Sequence, residues 1–204
     1  VPAPLSATQV LLALLLIGAL VLLVFGQTAS FEFLEWDDPG YVRDNPKVRA
    51  GLSLSSFAWA LTSLDMVNWH PLTWWSYLLD LRLFGPNPGA MHLVNVALHG
   101  INSSLLCLLL LRWGIRPALA LLAGAIFAVH PLHVESVAWI AERKDLLSAF
   151  FLLALLLVWD RYVRHGQRHH YWSAVLLAAL GLMAKAMLVT LPLLLLLLDG
   201  WPYA

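Results

Sequence analysis

The chain has 204 residues, 61% of them hydrophobic and only 12% charged, with a mean hydropathy of +0.78 and zero formal net charge. Soluble domains carry about 25% charged residues, so this composition excludes one and implies an integral, all-α membrane protein, while the lack of any basic excess excludes nucleic acid as a partner. The single cysteine, Cys107, lies in an apolar run, which rules out an internal disulfide and leaves the redox compartment open.

Residues 5–25 form an apolar run of the length a bilayer span needs, roughly 20 residues. No small-residue cleavage pattern follows closely, so an uncleaved first helix is expected. From Gln27 to Asn87 no span is expected. Inside that segment LSLSSFAWAL and WHPLTWWSYLLDLRLF are amphipathic and rich in tryptophan, the pattern of short helices lying in the interface plane. A loop of this length is usually functional.

A second span is expected over residues 88–113, with His92, Asn95, His99 and Asn102 at intervals of three, four and three and hence on one face. That row reads either as polar glue between packed helices or, for His92 near the end, as a ligand contact. The turn Arg112-Trp-Gly-Ile-Arg-Pro leads into a third span at 118–129. Next comes a polar island, HPLHVESVAWIAERKD, bracketed by Leu, Ala, Val and Phe. A fourth span follows at 146–159, then a loop rich in Arg and His. The apolar stretch 171–198 is too long for one span at about 1.5 Å per residue, so it divides into 171–184 and 186–198 with Lys185 at a surface. The chain opens at Val1 and closes at Trp201-Pro-Tyr-Ala, and is expected to be a piece of something longer.

Arg112 and Arg116 in one short loop, and Arg161, Arg164 and Arg168 in another, mark those loops as cytoplasmic. Alternation then puts the first loop, the island and Lys185 together on the opposite side. The first loop offers Asp37 and Asp38 beside Trp36; the island offers Glu135, Glu142, Arg143 and Asp145. If the island is helical from Pro131, Glu135, Trp139 and Glu142 lie along one stripe. Carboxylates from separate loops with cations between them suit proton abstraction from a hydroxyl while a departing phosphate is neutralised. The plain alternative is that these charges solvate loops. His130 and His133 have a spacing that permits a metal, but no third ligand with convincing spacing appears; a cap before Pro131 is the other reading.

WDDPGYVRDNP, NWHPLTWWSYLLD, HLVNVALHGINSSLL, HPLHVESVAWIAERKDLLSAFF and GLMAKAMLVTLP together resemble the amino-terminal membrane part of bacterial tetratricopeptide-repeat membrane proteins. These are similar to the transmembrane-and-TPR O-mannosyltransferases and, more distantly, to GT-C glycosyltransferases that use polyprenyl-phosphate sugars. The resemblance covers nearly the whole chain from Phe31 onward and is specific as a set of motifs. It implies a polytopic bundle of GT-C type, with residues 1–204 as the amino-terminal module and a carboxy-terminal repeat domain beyond it. It further implies sugar transfer, with inversion, from an undecaprenyl- or dolichyl-phosphate carrier to a protein or glycan hydroxyl at the outer face of a bacterial inner membrane.

By the same resemblance Asp37, in Asp37-Asp38-Pro-Gly-Tyr41, is the catalytic base, with Asp38 as alternative base or as a metal or acceptor contact. Arg143 and Lys185 meet the donor phosphate; Ala186 stands where a glycine or proline is usual. Glu135, Glu142 and Asp145 form a second acidic group toward acceptor or metal, and His70, His92, His130 and His133 are candidate substrate contacts. No cofactor is required by the pattern, with Mg or Mn as the divalent cations to consider. A non-catalytic membrane anchor for the repeats is the alternative from a different class, and a transporter a third.

Overall fold

The computed structural model describes residues 6–200; Leu5, where the expected first span begins, lies outside them. Helix α1, Ala7–Phe25, starts at a reciprocal cap in which Gln9 N–H donates to Ser6 Oγ (3.3 Å) and Ser6 N–H to Gln9 Oε1 (2.9 Å). Ala13, Ile17, Val21 and Phe25, four residues apart, form its buried edge, whereas Leu11, Leu15, Leu22 and Leu23 face outward as a lipid-facing surface requires. A short 3₁₀ turn, Gly26–Ser30, then leads into the first loop.

That loop is folded. After a π turn at Pro39–Arg43 come α2 (Pro46–Arg49), α3 (Leu54–Thr62), a tight turn Asp65–Val67 and α4 (Pro71–Phe84). Its core is Tyr41, Val42, Val48, Ala60, Trp74, Tyr77 and Leu78, closed from the bundle by Met91, Ile140 and Ala141. The expectation of simple amphipathic helices needs correction here. On α3 the polar Ser56 points inward and Leu54, Phe57 and Leu61 point out; α4 buries Thr73, Trp74, Tyr77, Leu78 and Asp80 on more than one side. Helix α4 is wedged between neighbours, so its sequence carries no single wet face.

Helix α5, Pro88–Arg112, begins with Pro88 at its first position and Asn87 Oδ1 accepting from Ala90 N–H at 3.1 Å. Gly89 lets the preceding turn approach: a Cβ there would lie 2.2 Å from the Ala29 carbonyl oxygen. Gly89→Ala is therefore expected to lower stability by about 1–3 kcal/mol, read as a drop in the thermal midpoint of the detergent-solubilised protein. Helix α6, Pro117–Val129, packs Gly124 against Ile17 and Cys107, the small-residue contact that lets membrane helices come close.

The island is not one helix. It is a 3₁₀ turn Pro131–His133, α7 (Val134–Ala138) and a second 3₁₀ turn Ile140–Glu142, broken at Trp139 (φ −112°, ψ 119°). Trp139 therefore does not stand between Glu135 and Glu142 on a continuous stripe. Helix α8, Arg143–His165, ends at Gly166 in the left-handed conformation. Helix α9, Arg168–Ala184, stops where Lys185 turns extended, and after the turn Ala186–Thr190 the chain continues as α10, Leu191–Gly200.

Ala7–Ser30, Pro88–Arg112 and Ile140–His165 are long and apolar enough to cross a membrane, and the pair Pro117–Val129 and Pro131–Ala138, bent by 48°, makes a fourth if it is one span. Ala186–Leu198 is apolar but shorter. The sequence implied about six spans; α9 has 17 residues, with Arg168, His169 and His170 in its first turn, and is not among these long apolar helices.

Asp160, fully buried, accepts from Arg112 Nε at 2.8 Å and Arg164 Nε at 2.9 Å, tying the ends of α5 and α8 together. The two arginine-rich loops thus share one end of the bundle. The first loop, the island and Lys185 meet at the other, linked by Thr73 Oγ1 to the Ala184 carbonyl (3.0 Å) and Tyr77 OH to the Ile140 carbonyl (2.8 Å).

Candidate functional site

The broken island leaves backbone groups without helical partners, and the rest of the molecule satisfies them. Asp38 is completely buried; one carboxylate oxygen accepts from Leu34 N–H at 2.8 Å and the other from Ala141 N–H at 2.9 Å. It is a latch between loop and island. Burial pushes its pKa up, opposed by those two N–H bonds and by the nearby His92. On α5, Asn95 Nδ2 donates to the Trp139 carbonyl (3.0 Å), His99 Nε2 meets the Ala128 carbonyl (3.0 Å) and Asn102 Nδ2 donates to the Leu146 carbonyl (2.9 Å). The polar row is packing glue along most of its length. His92 is buried too, beside Phe31, with Nε2 3.4 Å from the Glu32 carbonyl.

Asp37, next to the latch, differs in every respect. It is half-buried and its carboxylate makes no hydrogen bond or ion pair; its backbone carbonyl accepts from Tyr41 N–H at 2.9 Å. The Tyr41 ring is fixed by Trp74 (centroids 5.1 Å) and His70 (5.4 Å), both roughly parallel to it. Burial first, then the charges of Asp37 and Glu142, push the Tyr41 phenol well above its ordinary range, so it stays protonated.

Across from this loop Lys144 Nζ bonds Glu142 at 2.7 Å and the Ala141 carbonyl at 3.2 Å, and lies 5.0 Å from the Tyr41 ring centroid. Lys185 pairs with Asp145 and lies 3.9 Å from Glu142. Ser136 Oγ donates to Asp145 at 3.4 Å. The structure therefore gathers Asp37, Glu142, Lys144, Asp145 and Lys185 at one end, two lysines among three carboxylates.

Arg143 stands apart from them. Its guanidinium is completely buried, paired with Asp80 and bonded to Asn95 Oδ1 (2.8 Å) and the Met91 carbonyl (2.9 Å), so it faces away from any phosphate at the surface. Lys144, the next residue, is buried too, but its ammonium turns toward Tyr41 and Glu142 on the side of the first loop. Glu135 is exposed on α7 without a side-chain partner. His130 caps the turn after it, accepting from Leu132 N–H at 3.2 Å, and His133 packs against Phe127 and His99 (centroids 4.3 and 5.0 Å). Among the described residues no three His, Cys, Asp or Glu side chains converge as a metal would need.

His70 is buried with Nε2 unpartnered. Burial, and after it the charge of Lys144, depresses its pKa from 6.5 to about 4. The unfolded imidazole takes up a proton below pH 6.5 that the folded one refuses, so His70's contribution is complete above pH 6.5 and is lost as pH falls toward 4. The thermal midpoint is expected to drop between about pH 7 and pH 5, and to drop less in His70→Phe, which keeps the stack without the titration.

No protein-family model matches the chain, and no solved structure does. Among curated proteins it is 32% identical over 166 residues to the mouse Protein O-mannosyl-transferase TMTC1, covering 76% of this chain and 17% of that protein. It is 32% identical over 179 residues to Tmtc1 of Drosophila melanogaster (82% and 20%), and 27% identical over 199 residues to human TMTC4 (86% and 27%). The chain spans about a fifth of the length of the curated relatives it matches first.

Proposed function

Taking as premise that this is a TMTC-like protein, related along most of its length to proteins named O-mannosyltransferases, we propose that it is the membrane module of a glycosyltransferase. The donor is a polyprenyl-phosphate-linked sugar, a mannose-like hexose, and the acceptor a hydroxyl on a protein or glycan. The observation that carries this reading is the free carboxylate of Asp37 at the same end as the Lys144–Glu142 and Lys185–Asp145 pairs.

In the reaction Asp37 takes the proton from the acceptor hydroxyl, whose oxygen forms a bond to the anomeric carbon. The bond from that carbon to the phosphate oxygen breaks, the electron pair leaves with the phosphate, and the configuration inverts. Lys185 and Lys144 meet the phosphate's charge, exchanging part of their pairing with Asp145 and Glu142 for it. Tyr41 stays a neutral wall. Since among the described residues no group of His, Cys, Asp and Glu forms that could hold a metal, no step is assigned to a divalent cation.

The two arginine-rich loops support a cytoplasmic assignment for their end, and in our reading the reaction takes place on the extracytoplasmic side of a bacterial inner membrane. The outward Leu54, Phe57 and Leu61 of the uncharged α3 support a position in the interface plane for that part of the loop. A repeat domain following this module would present the acceptor.

The test is transfer of radiolabelled sugar from a panel of polyprenyl-phosphate donors by the full-length protein in membranes, wild type beside Lys185→Ala. Transfer by wild type, with the donor KM raised about tenfold or more by the substitution, is the expected result. Folded wild-type protein that transfers from no donor would leave the anchor reading in its place.

A further inference from the structure

The Asp80–Arg143 pair is buried on both sides, with side-chain exposures of 6% and 0%. Stability does not account for it: apolar residues of similar volume in place of a buried ion pair are commonly neutral or stabilising. A guanidinium holds geometry well, because its donors lie in one plane and fix the direction of each partner. Here those partners come from separate elements. Asp80 belongs to α4, in the first loop; Asn95 and the Met91 carbonyl belong to α5; and the guanidinium carbon lies 4.9 Å from the ring centroid of Tyr77, one turn before Asp80.

Arg143 is also the first residue of α8, directly after Glu142 and before Lys144 and Asp145. Successive helical residues point about 100° apart. Seating Arg143 inward therefore settles where the next two side chains go: Lys144 over Tyr41 and Asp145 onto Lys185. Asn95 repeats the constraint one step earlier, since the amide that accepts from Arg143 donates to the carbonyl of Trp139, at the break in the island.

We propose that Asp80 is a positioning residue: through Arg143 it sets the rotation of the first turn of α8, and with it the placement of Lys144 and of the Asp145–Lys185 pair opposite Asp37. The role in transfer rests on the function proposed above; the placement itself does not. Asp80 touches no substrate in this account and acts only through its partner.

The test is the double variant Asp80→Leu/Arg143→Met in the full-length protein, which removes both charges and so leaves none buried alone. Thermal unfolding, donor kcat/KM and deuterium exchange of the amides of residues 139–145 are read on the same preparation. The expected result is a midpoint close to wild type, kcat/KM at least tenfold lower, and exchange in the island at least fivefold faster. Wild-type transfer together with wild-type exchange would overturn the proposal, because a merely structural pair replaced by good packing moves neither. If wild type transfers no sugar, the transferase reading fails by itself and exchange alone decides the placement: faster exchange upholds it, unchanged exchange overturns it. Should the double variant not fold, Asp80→Ser, which takes the acceptor out of reach of Arg143 and leaves room for water, is read by the same two criteria.

Discussion

Replacing Asp37 by asparagine is expected to lower sugar transfer by about a hundredfold to ten-thousandfold, the usual contribution of a general base, while the unfolding midpoint stays where it was. The two halves of that expectation have separate causes. Asparagine keeps the size and hydrogen-bonding character of the side chain but cannot take a proton at neutral pH. The Asp37 carboxylate makes no bond or ion pair that the substitution could break, and partly exposed changes of this kind stay within about 0.5 kcal/mol. Transfer rates in membranes and thermal unfolding of the solubilised protein check the two halves independently. Transfer at the wild-type rate would remove Asp37 as the base and pass the role to Glu142 or Asp145.

The neighbouring residue is expected to behave in the opposite way. Asp38→Ala leaves the Ala141 amide buried without an acceptor, at about 1–3 kcal/mol, and frees the partly buried Leu34 amide at a smaller cost because water can reach it, so a loss of about 1–3 kcal/mol is expected. Asp38→Asn should fall between wild type and alanine, because its amide oxygen still accepts from one of the two amides while its NH₂ confronts the other donor. Denaturant or thermal unfolding in detergent measures this. Any loss of transfer in these variants is expected to follow the loss of folded protein. A variant at Asp38 that unfolds like wild type but transfers nothing would reverse the assignment of the two aspartates.

That one of these adjacent carboxylates is buried and bonded and the other free was not legible from Asp37-Asp38 alone, since both have the same chemistry and the same neighbours in sequence. The difference is made by the Ala141 amide, which arrives from the far side of the molecule. The same holds for Arg143 and Lys144. On a helix only one of two consecutive residues can face a given neighbour, and nothing in the spacing shows that Arg143 is the one that pairs with Asp80, an acid to which the sequence assigns no role. The break at Trp139 carries no proline or glycine; it persists because Asn95, Tyr77 and Asp38 each satisfy a backbone group on or next to it.

What was legible rests on physical limits that act locally. The apolar stretch 171–198 could not all lie within one bilayer thickness, and it breaks at Lys185, where helix α9 ends. Charge in the short loops grouped the first loop, the island and Lys185, and the latch, the Thr73 bond and the Lys185–Asp145 pair join those three segments. The row His92, Asn95, His99 and Asn102 announced itself by spacing, although its partners did not.

Except for that of His92, those hydrogen-bond partners are made late. The carbonyls of Ala128, Trp139 and Leu146, and the guanidinium of Arg143, all emerge from the ribosome after α5 has been synthesised. His92 has Phe31 and the Glu32 carbonyl, and the His99 ring has Phe25, all made before α5, but until the later groups arrive the two carboxamides lack their carbonyl partners, and α5 is less apolar than α1, with mean hydropathy 1.8 against 2.8. Long and apolar enough to cross a membrane on its own, α5 thus carries polar side chains whose bonding is completed only by α6 to α8.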